Sequence, residues 1–283
     1  MTTWTGPYGT SRVLIPPPAD PRYAHLSWPK LVRADDGTLV LALIAGRQHI
    51  QGDGCPTVAR SLDGGKTWLP MQILQHFDRS MRYQHAGNLA LGKAADGALV
   101  LLGMAFTDKL YNTILGWRST DAGQHWEPCD TQPLADNQTG SVFGHVFPLP
   151  EQSLGVFGHV RQPRGTGLWF ARSLNHGRNW LEPTIFTTRH LVEPVFITAG
   201  TRLIGLVRDD SACAYHQFVS DDLGQTWQCH ERVIAGTPGV VHPSPCLVAD
   251  PRRPERLYAL HTERSPQREI ILWQANAATL RWH

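Results

Sequence analysis

No stretch of this 283-residue chain approaches the roughly 20 consecutive apolar residues that a membrane-spanning helix needs, and the opening MTTWTGPYGTSRVL lacks the apolar centre of a secretion signal. Strong charge of either sign is missing too. Lys and Arg number 26 against 24 Asp and Glu, a net charge of +2, which leaves no electrostatic footprint for nucleic acid or an anionic membrane surface. The five cysteines contain no CxxC and the 14 histidines no HxxxH, the spacings on which metal sites are commonly built. These absences predict free thiols in a reducing cytoplasm, no metal or cofactor, and neither nucleic acid nor membrane as partner.

Abundance lies elsewhere, in glycine (26), proline (21) and tryptophan (10). An eight-residue phrase, Ser-x-Asp/Asn-x-Gly-x-x-Trp, occurs four times: SLDGGKTW from Ser61, STDAGQHW from Ser119, SLNHGRNW from Ser173 and SDDLGQTW from Ser220. Its tryptophans, Trp68, Trp126, Trp180 and Trp227, stand 58, 54 and 47 residues apart. That period exceeds most helical solenoid repeats and suits a four-stranded propeller blade with long loops.

Short apolar strands and Gly-containing turns precede each phrase, as in LVRADDGTLVLALIAGR and LALGKAADGALVLLGMAF. A fifth, decayed phrase (ANAATLRW) keeps its tryptophan at Trp282. The reading is all-β: one domain over residues 1–283, a β-propeller of four-stranded antiparallel blades. Five blades are expected, with six the alternative. A fourth strand for the last blade is expected from the N-terminus, with Arg12 to Ile15 closing the ring and removing an open sheet edge. Within the phrase, glycine permits a tight turn and Asp or Asn accepts its backbone hydrogen bonds. The phrases therefore read as scaffold.

These phrases resemble the Asp-box, or BNR, repeats of the sialidase superfamily, and the resemblance covers nearly the whole chain. It implies an anionic sugar held by three arginines, an aspartic acid as acid/base, and a tyrosine nucleophile assisted by a glutamate, an exception among glycosidases. Gly37-Thr38-Leu39, Arg47, Asp53 and Ser61 follow the order of a sialidase's first blade, so Arg47 resembles a pocket arginine and Asp53 the acid/base. Glu193, before Pro194, resembles the glutamate. Arg208 and Arg264 resemble the second and third arginines. The chain departs from the pattern twice. Ser27-Trp28-Pro29 stands where the first arginine is expected, and no tyrosine matches the nucleophile, Tyr83 and Tyr23 being the nearby candidates.

Aligned blades place Arg47, Arg161, Arg208 and Arg264 after second strands, where guanidinium groups suit carboxylate or sulfate. Among the histidines at the same entrances, His85 and His242 directly precede first strands and are candidates for proton transfer. Trp28 is a candidate sugar-stacking platform.

Three readings follow. The first is a sialidase-like glycoside hydrolase on an acidic or modified sugar, with water attacking directly and Glu193 or a histidine as base. The second is a polyuronide lyase using His85 or His242 with Tyr83. The third is a non-catalytic propeller that binds a glycan or a protein. Carbohydrate is the expected partner in the first two.

Overall fold

The computed structural model describes residues 3–6, 9–49, 53–107, 111–134, 140–160, 165–236, 239–240, 243–264 and 269–283. Among them there is no α-helix. A hairpin comes first, β1 (Thr3–Gly6) on β2 (Gly9–Arg12). Five groups of strands follow. The first holds β3 (His25–Arg33), β4 (Leu39–Gly46), β5 (Cys55–Ser61) and β6 (Gln72–Ile73). The second holds β7 (His85–Lys93), β8 (Leu99–Thr107), β9 (Tyr111–Ser119) and β10 (Glu127–Pro128). The third holds β11 (Ser141–Pro148), β12 (Leu154–His159), β13 (Leu168–Ser173) and β14 (Thr184–Thr187). The fourth holds β15 (Val192–Ala199), β16 (Arg202–Asp209), β17 (Ala214–Ser220) and β18 (Gln228–Ala235). The fifth holds β19 (Cys246–Asp250), β20 (Arg253–Thr262) and β21 (Ile270–Asn276).

Strands pair antiparallel in chain order within each group. The first strands also neighbour one another in succession, β3 with β7, β7 with β11, β11 with β15 and β15 with β19. They approach so closely at one point that Gly144–Val146 pair parallel with Ala90–Gly92, fusing two groups into an eight-stranded sheet. Gly92 makes this possible, because a Cβ there would lie 1.6 Å from the Val146 carbonyl oxygen. Second strands such as LVLLGMAFT are buried almost throughout, which is why they read as apolar runs and not as alternation.

The first two hairpins turn on the same device. Ala34 and Gly37, like Ala94 and Gly97, close the turn by backbone hydrogen bonds, and Asp36 and Asp96 accept from the amides of Thr38 and Ala98. Gly37 and Gly97 sit at φ +90° and +82°, a conformation that costs an L side chain energy.

The four repeated phrases share one hydrogen-bond pattern. Ser61, Ser119, Ser173 and Ser220 each accept from the amide of the phrase glycine and donate to the phrase Asp or Asn. That residue in turn accepts the amide four positions on. The tryptophans reach back across the group boundary. Trp126 packs with Ala34 and Val40, Trp180 with Ala94 and Val100, Trp227 with Phe157 and Phe170, and Trp282 with Ile204. Arginines reach forward. Arg60 donates to the Ala122 carbonyl, Arg118 to His176, Arg172 to Leu223, and Arg202 to Ala277 in the decayed phrase. Each group is thus stapled to the next by an indole one way and a guanidinium the other, so the phrases are structural.

The N-terminal strand differs from expectation. β2 ends at Arg12 and pairs with β1, while the fifth group has three strands among the described residues. A short-range hairpin satisfies these backbone groups locally, and Pro16 to Pro18, without amide hydrogens, cannot extend a ladder beyond it.

Candidate active site

Four first strands are broken at the same place. A register shift separates Ser27 from Lys30, Gly87 from Leu89, Phe143 from Phe147 and Val192 from Val195. Inside these shifts Trp28, Asn88, Gly144 and Glu193 take φ values of 51°, 47°, 89° and 53°. Bulges of this kind re-aim a side chain out of the ladder. All four residues line two adjoining cavities at the common centre.

The smaller cavity, about 350 Å³, is lined by Trp28, His49, Asn88, Phe106, His159, Glu193, Arg208, Asp210 and Arg264, among others. The larger one, about 620 Å³, shares Trp28, His49, Glu193 and Arg264 and adds Lys30, Phe143, His145, Ser244 and Cys246. Of the residues expected from sequence, the fold therefore brings Glu193, Arg208, Arg264 and Trp28 together.

Arg208 Nη1 donates to Glu193 Oε2 at 2.7 Å, and its Nε and Nη2 hold both oxygens of Asp210. Two carboxylates thus share one guanidinium. Glu193 also accepts from the Ser244 hydroxyl. Ser244 is held in turn by Tyr215, whose phenol donates to the Pro243 carbonyl at 2.5 Å. Burial pushes the Tyr215 phenol pKa well up. The Glu193 amide donates to His159 Nδ1 at 3.2 Å, which makes that nitrogen an acceptor and puts the proton of the neutral ring on Nε2. His49 stacks on Trp28 with ring centroids 4.4 Å apart. Burial, and then the neighbouring His25 and Arg264, lower its pKa.

Asp53 lies beside this cleft and is not part of its described lining. It repeats the Glu193 arrangement: φ is +60°, and its amide donates to Nδ1 of His85 in the next group at 3.1 Å. The His85 ring packs 5.4 Å from Phe106, which does line the cleft. Asp53 Oδ2 accepts from Arg47 at 3.3 Å, while Oδ1 is buried without a hydrogen-bond partner. Arg47 is exposed. Tyr83 packs against the core shared by the first two groups, under the Arg82 guanidinium, and is not on the described lining of either cavity. His242 and Arg161 fall outside the described residues.

Lys30, Ser244 and Tyr215 were not legible as site residues. Lys30 follows a proline within an apolar strand, Ser244 stands between two prolines, and Tyr215 is fully buried. Among the described residues no group of three or more His, Cys, Asp or Glu is arranged to hold a metal ion, and no helix is long and apolar enough to cross a membrane.

The BNR repeat-like domain profile matches residues 37–269. No curated protein matches the chain. Among solved structures, a Hadza microbial sialidase is 18% identical with a TM-score of 0.70, over 93% of this chain and 58% of that one. Trypanosoma rangeli sialidase in complex with sialic acid is 15% identical with a TM-score of 0.69, over 97% and 49%. An α-L-arabinofuranosidase from Fusarium graminearum, bound to an iminosugar inhibitor, is 14% identical with a TM-score of 0.58, over 93% and 96%. The chain spans about half the length of the sialidases it matches. At these identities the likeness is one of fold.

Proposed function

The chain belongs to the BNR repeat-like domain family, and from that premise we propose that it is a sialidase-like glycoside hydrolase acting on an acidic sugar. The five strand groups are read as blades of one domain, closed by the fifth group against the first. The convergence of Glu193, Arg208, Arg264 and Trp28 on one cleft carries the reading. In it, Arg264 and Arg208 face the sugar's anion and Trp28 offers an apolar face to the ring. Asp53, beside the cleft, is the acid that protonates the departing glycosidic oxygen. Arg47 sets the Asp53 side chain. With no tyrosine on the described cleft lining, water attacks the anomeric carbon on the face opposite the leaving group, which inverts configuration. Glu193 supports the positive charge that develops there. The leaving group departs with the Asp53 proton, and the attacking water gives its proton to the Glu193 carboxylate.

The test is release of 4-methylumbelliferone from a sialoside and a panel of uronides, by the protein and by Asp53→Ala. The expected result is turnover of one acidic glycoside that falls at least about 100-fold in the variant. Absence of turnover on all of them, or turnover unaffected by Asp53→Ala, overturns the reading.

One observation favours the third reading, a non-catalytic glycan-binding propeller: Glu193 is already engaged by Arg208 and Ser244. Glycan-array binding that survives Asp53→Ala combined with Glu193→Ala, without turnover, would support it.

A further inference from the structure

We propose that Lys30 and Arg264 form an oxyanion clamp in the larger cavity, and that this clamp, more than Arg208, selects a sugar carrying a carboxylate or sulfate. The inference rests on the carbohydrate reading of the cleft and assigns its charge selectivity to a residue the repeat pattern does not mark.

The position of Lys30 is the first argument. It stands two residues past the bulge residue Trp28. The residues two past Asn88, Gly144 and Glu193 are Ala90, Val146 and Val195, all buried and apolar. A lysine here places an ammonium in a layer that is otherwise hydrocarbon. Its Nζ lies 4.4 Å over the Phe143 ring, and no carboxylate is within ion-pairing distance among the described residues. Burial lowers its pKa from the usual 10.5 to about 8, against a smaller opposing pull from Glu193. Lys30 is half-buried, and an ammonium partly withdrawn from water with only an aromatic face beside it favours an anionic partner, which a bound oxyanion supplies.

Charge distribution is the second argument. The groups facing Lys30 are Glu193, His145, Cys246, His49 and Arg264. Burial and then Lys30 itself lower the His145 pKa, so that ring is neutral beside the ammonium. Desolvation at the sulfur raises the Cys246 thiol pKa, although the residue as a whole is exposed. Glu193 is the one carboxylate on the described lining, and it is committed to Arg208 and Ser244. Arg208 is in turn matched by Glu193 and Asp210. Lys30 and Arg264 are left as the cations with no carboxylate partner on the described lining. A cavity of about 620 Å³ is within the range of small-ligand sites.

Binding is read by calorimetry with N-acetylneuraminic acid, glucuronic acid, glucose 6-sulfate and glucose, between pH 6.5 and 9.5. The expected affinity for the acidic sugars falls at least about tenfold as pH rises through 8, because Lys30 loses its proton. Lys30→Met should weaken acidic sugars about tenfold or more at pH 7, spare glucose, and abolish the pH dependence. Lys30→Arg should restore binding and hold it at pH 9.5. The sulfate and carboxylate arms tell which oxyanion is preferred. An unchanged pH profile in Lys30→Met, or equal loss for neutral and acidic sugars, overturns the clamp. Binding that follows this pattern without turnover of any acidic glycoside leaves the clamp standing and removes the hydrolase reading. Should no acidic sugar bind, modification of Lys30 by trinitrobenzenesulfonate is followed by mass spectrometry with and without inorganic sulfate. Protection supports the clamp, and its absence overturns it.

Discussion

The Glu193 carboxylate accepts from the Arg208 guanidinium at 2.7 Å, although the two residues stand 15 positions apart on different strands. The bulge between Val192 and Val195 creates this meeting. Arg208 is registered opposite Val192, and the positive φ of Glu193 turns its side chain out of the ladder toward its neighbour. Replacing Glu193 by Ala leaves Arg208 with Asp210 alone and takes the acceptor from Ser244. Their side chains are 20% and 13% exposed, so solvent screens part of the loss. Urea unfolding should show Glu193→Ala destabilised by about 1–2 kcal/mol, with a coupling to Arg208→Met of similar size. Additive single effects would mean that the pair contributes nothing.

Asp53 should behave in the opposite way. Its Oδ1 is buried without a partner, so the folded state gains little from keeping it. Asp53→Ala is expected to change the melting temperature by less than about 2 °C while turnover of an acidic glycoside drops about 100-fold or more. A loss of stability on the scale of the loss of activity would mark it as a structural residue.

The inter-group staples should be separable from the site. Ser119→Ala removes the acceptor of the Gly123 amide and the donor to Asp121, and Arg118→Met removes both the tie to His176 and the ion pair with Asp96. Each is expected to cost about 1 kcal/mol in urea unfolding, with ligand affinity unchanged within a factor of about two. A change in affinity beyond that would connect the phrases to the site after all.

Acid should attack the same phrases. Hydrogen bonds from Thr67 hold the Asp63 pKa down to about 2. For Asp121, burial raises the pKa, but the bonds from His125 and Ser119 outweigh it and bring it to about 2. A carboxylate depressed in the folded state contributes stability above its ordinary pKa of 3.8, and the contribution disappears as pH falls through the folded value. Loss of stability from this source is therefore expected between about pH 4 and pH 2. The double variant Asp63→Asn, Asp121→Asn should show a shallower fall over that window in pH-dependent thermal unfolding. An identical slope would place the acid sensitivity elsewhere.

Much of the scaffold is legible in the sequence. The spacing of Trp68, Trp126, Trp180, Trp227 and Trp282 marked five strand groups, and the Gly and Asp positions marked their turns, because turn chemistry and strand patterning act over a few residues. The order of Arg47 and Asp53, and of Glu193 and Arg208, is legible through the resemblance to the sialidase superfamily. Lys30 escaped notice, since a lysine after Trp-Pro in a half-apolar strand reads as an outward-facing residue. The N-terminal strand was assigned to the fifth group, yet β2 pairs with β1, a choice between local and distant partners that patterning does not rank.

The sequence by itself determined the repeat, the turns and the residue types available for chemistry, all of them set by interactions within a strand or a hairpin. Tertiary structure alone decided which of those residues meet. Four bulges turn Trp28, Asn88, Gly144 and Glu193 into one centre, and Arg208 is matched by two carboxylates while Lys30 and Arg264 face a cavity. A bulge is one extra residue relative to a partner strand, or two in β11, and it does not exist until that partner is in register.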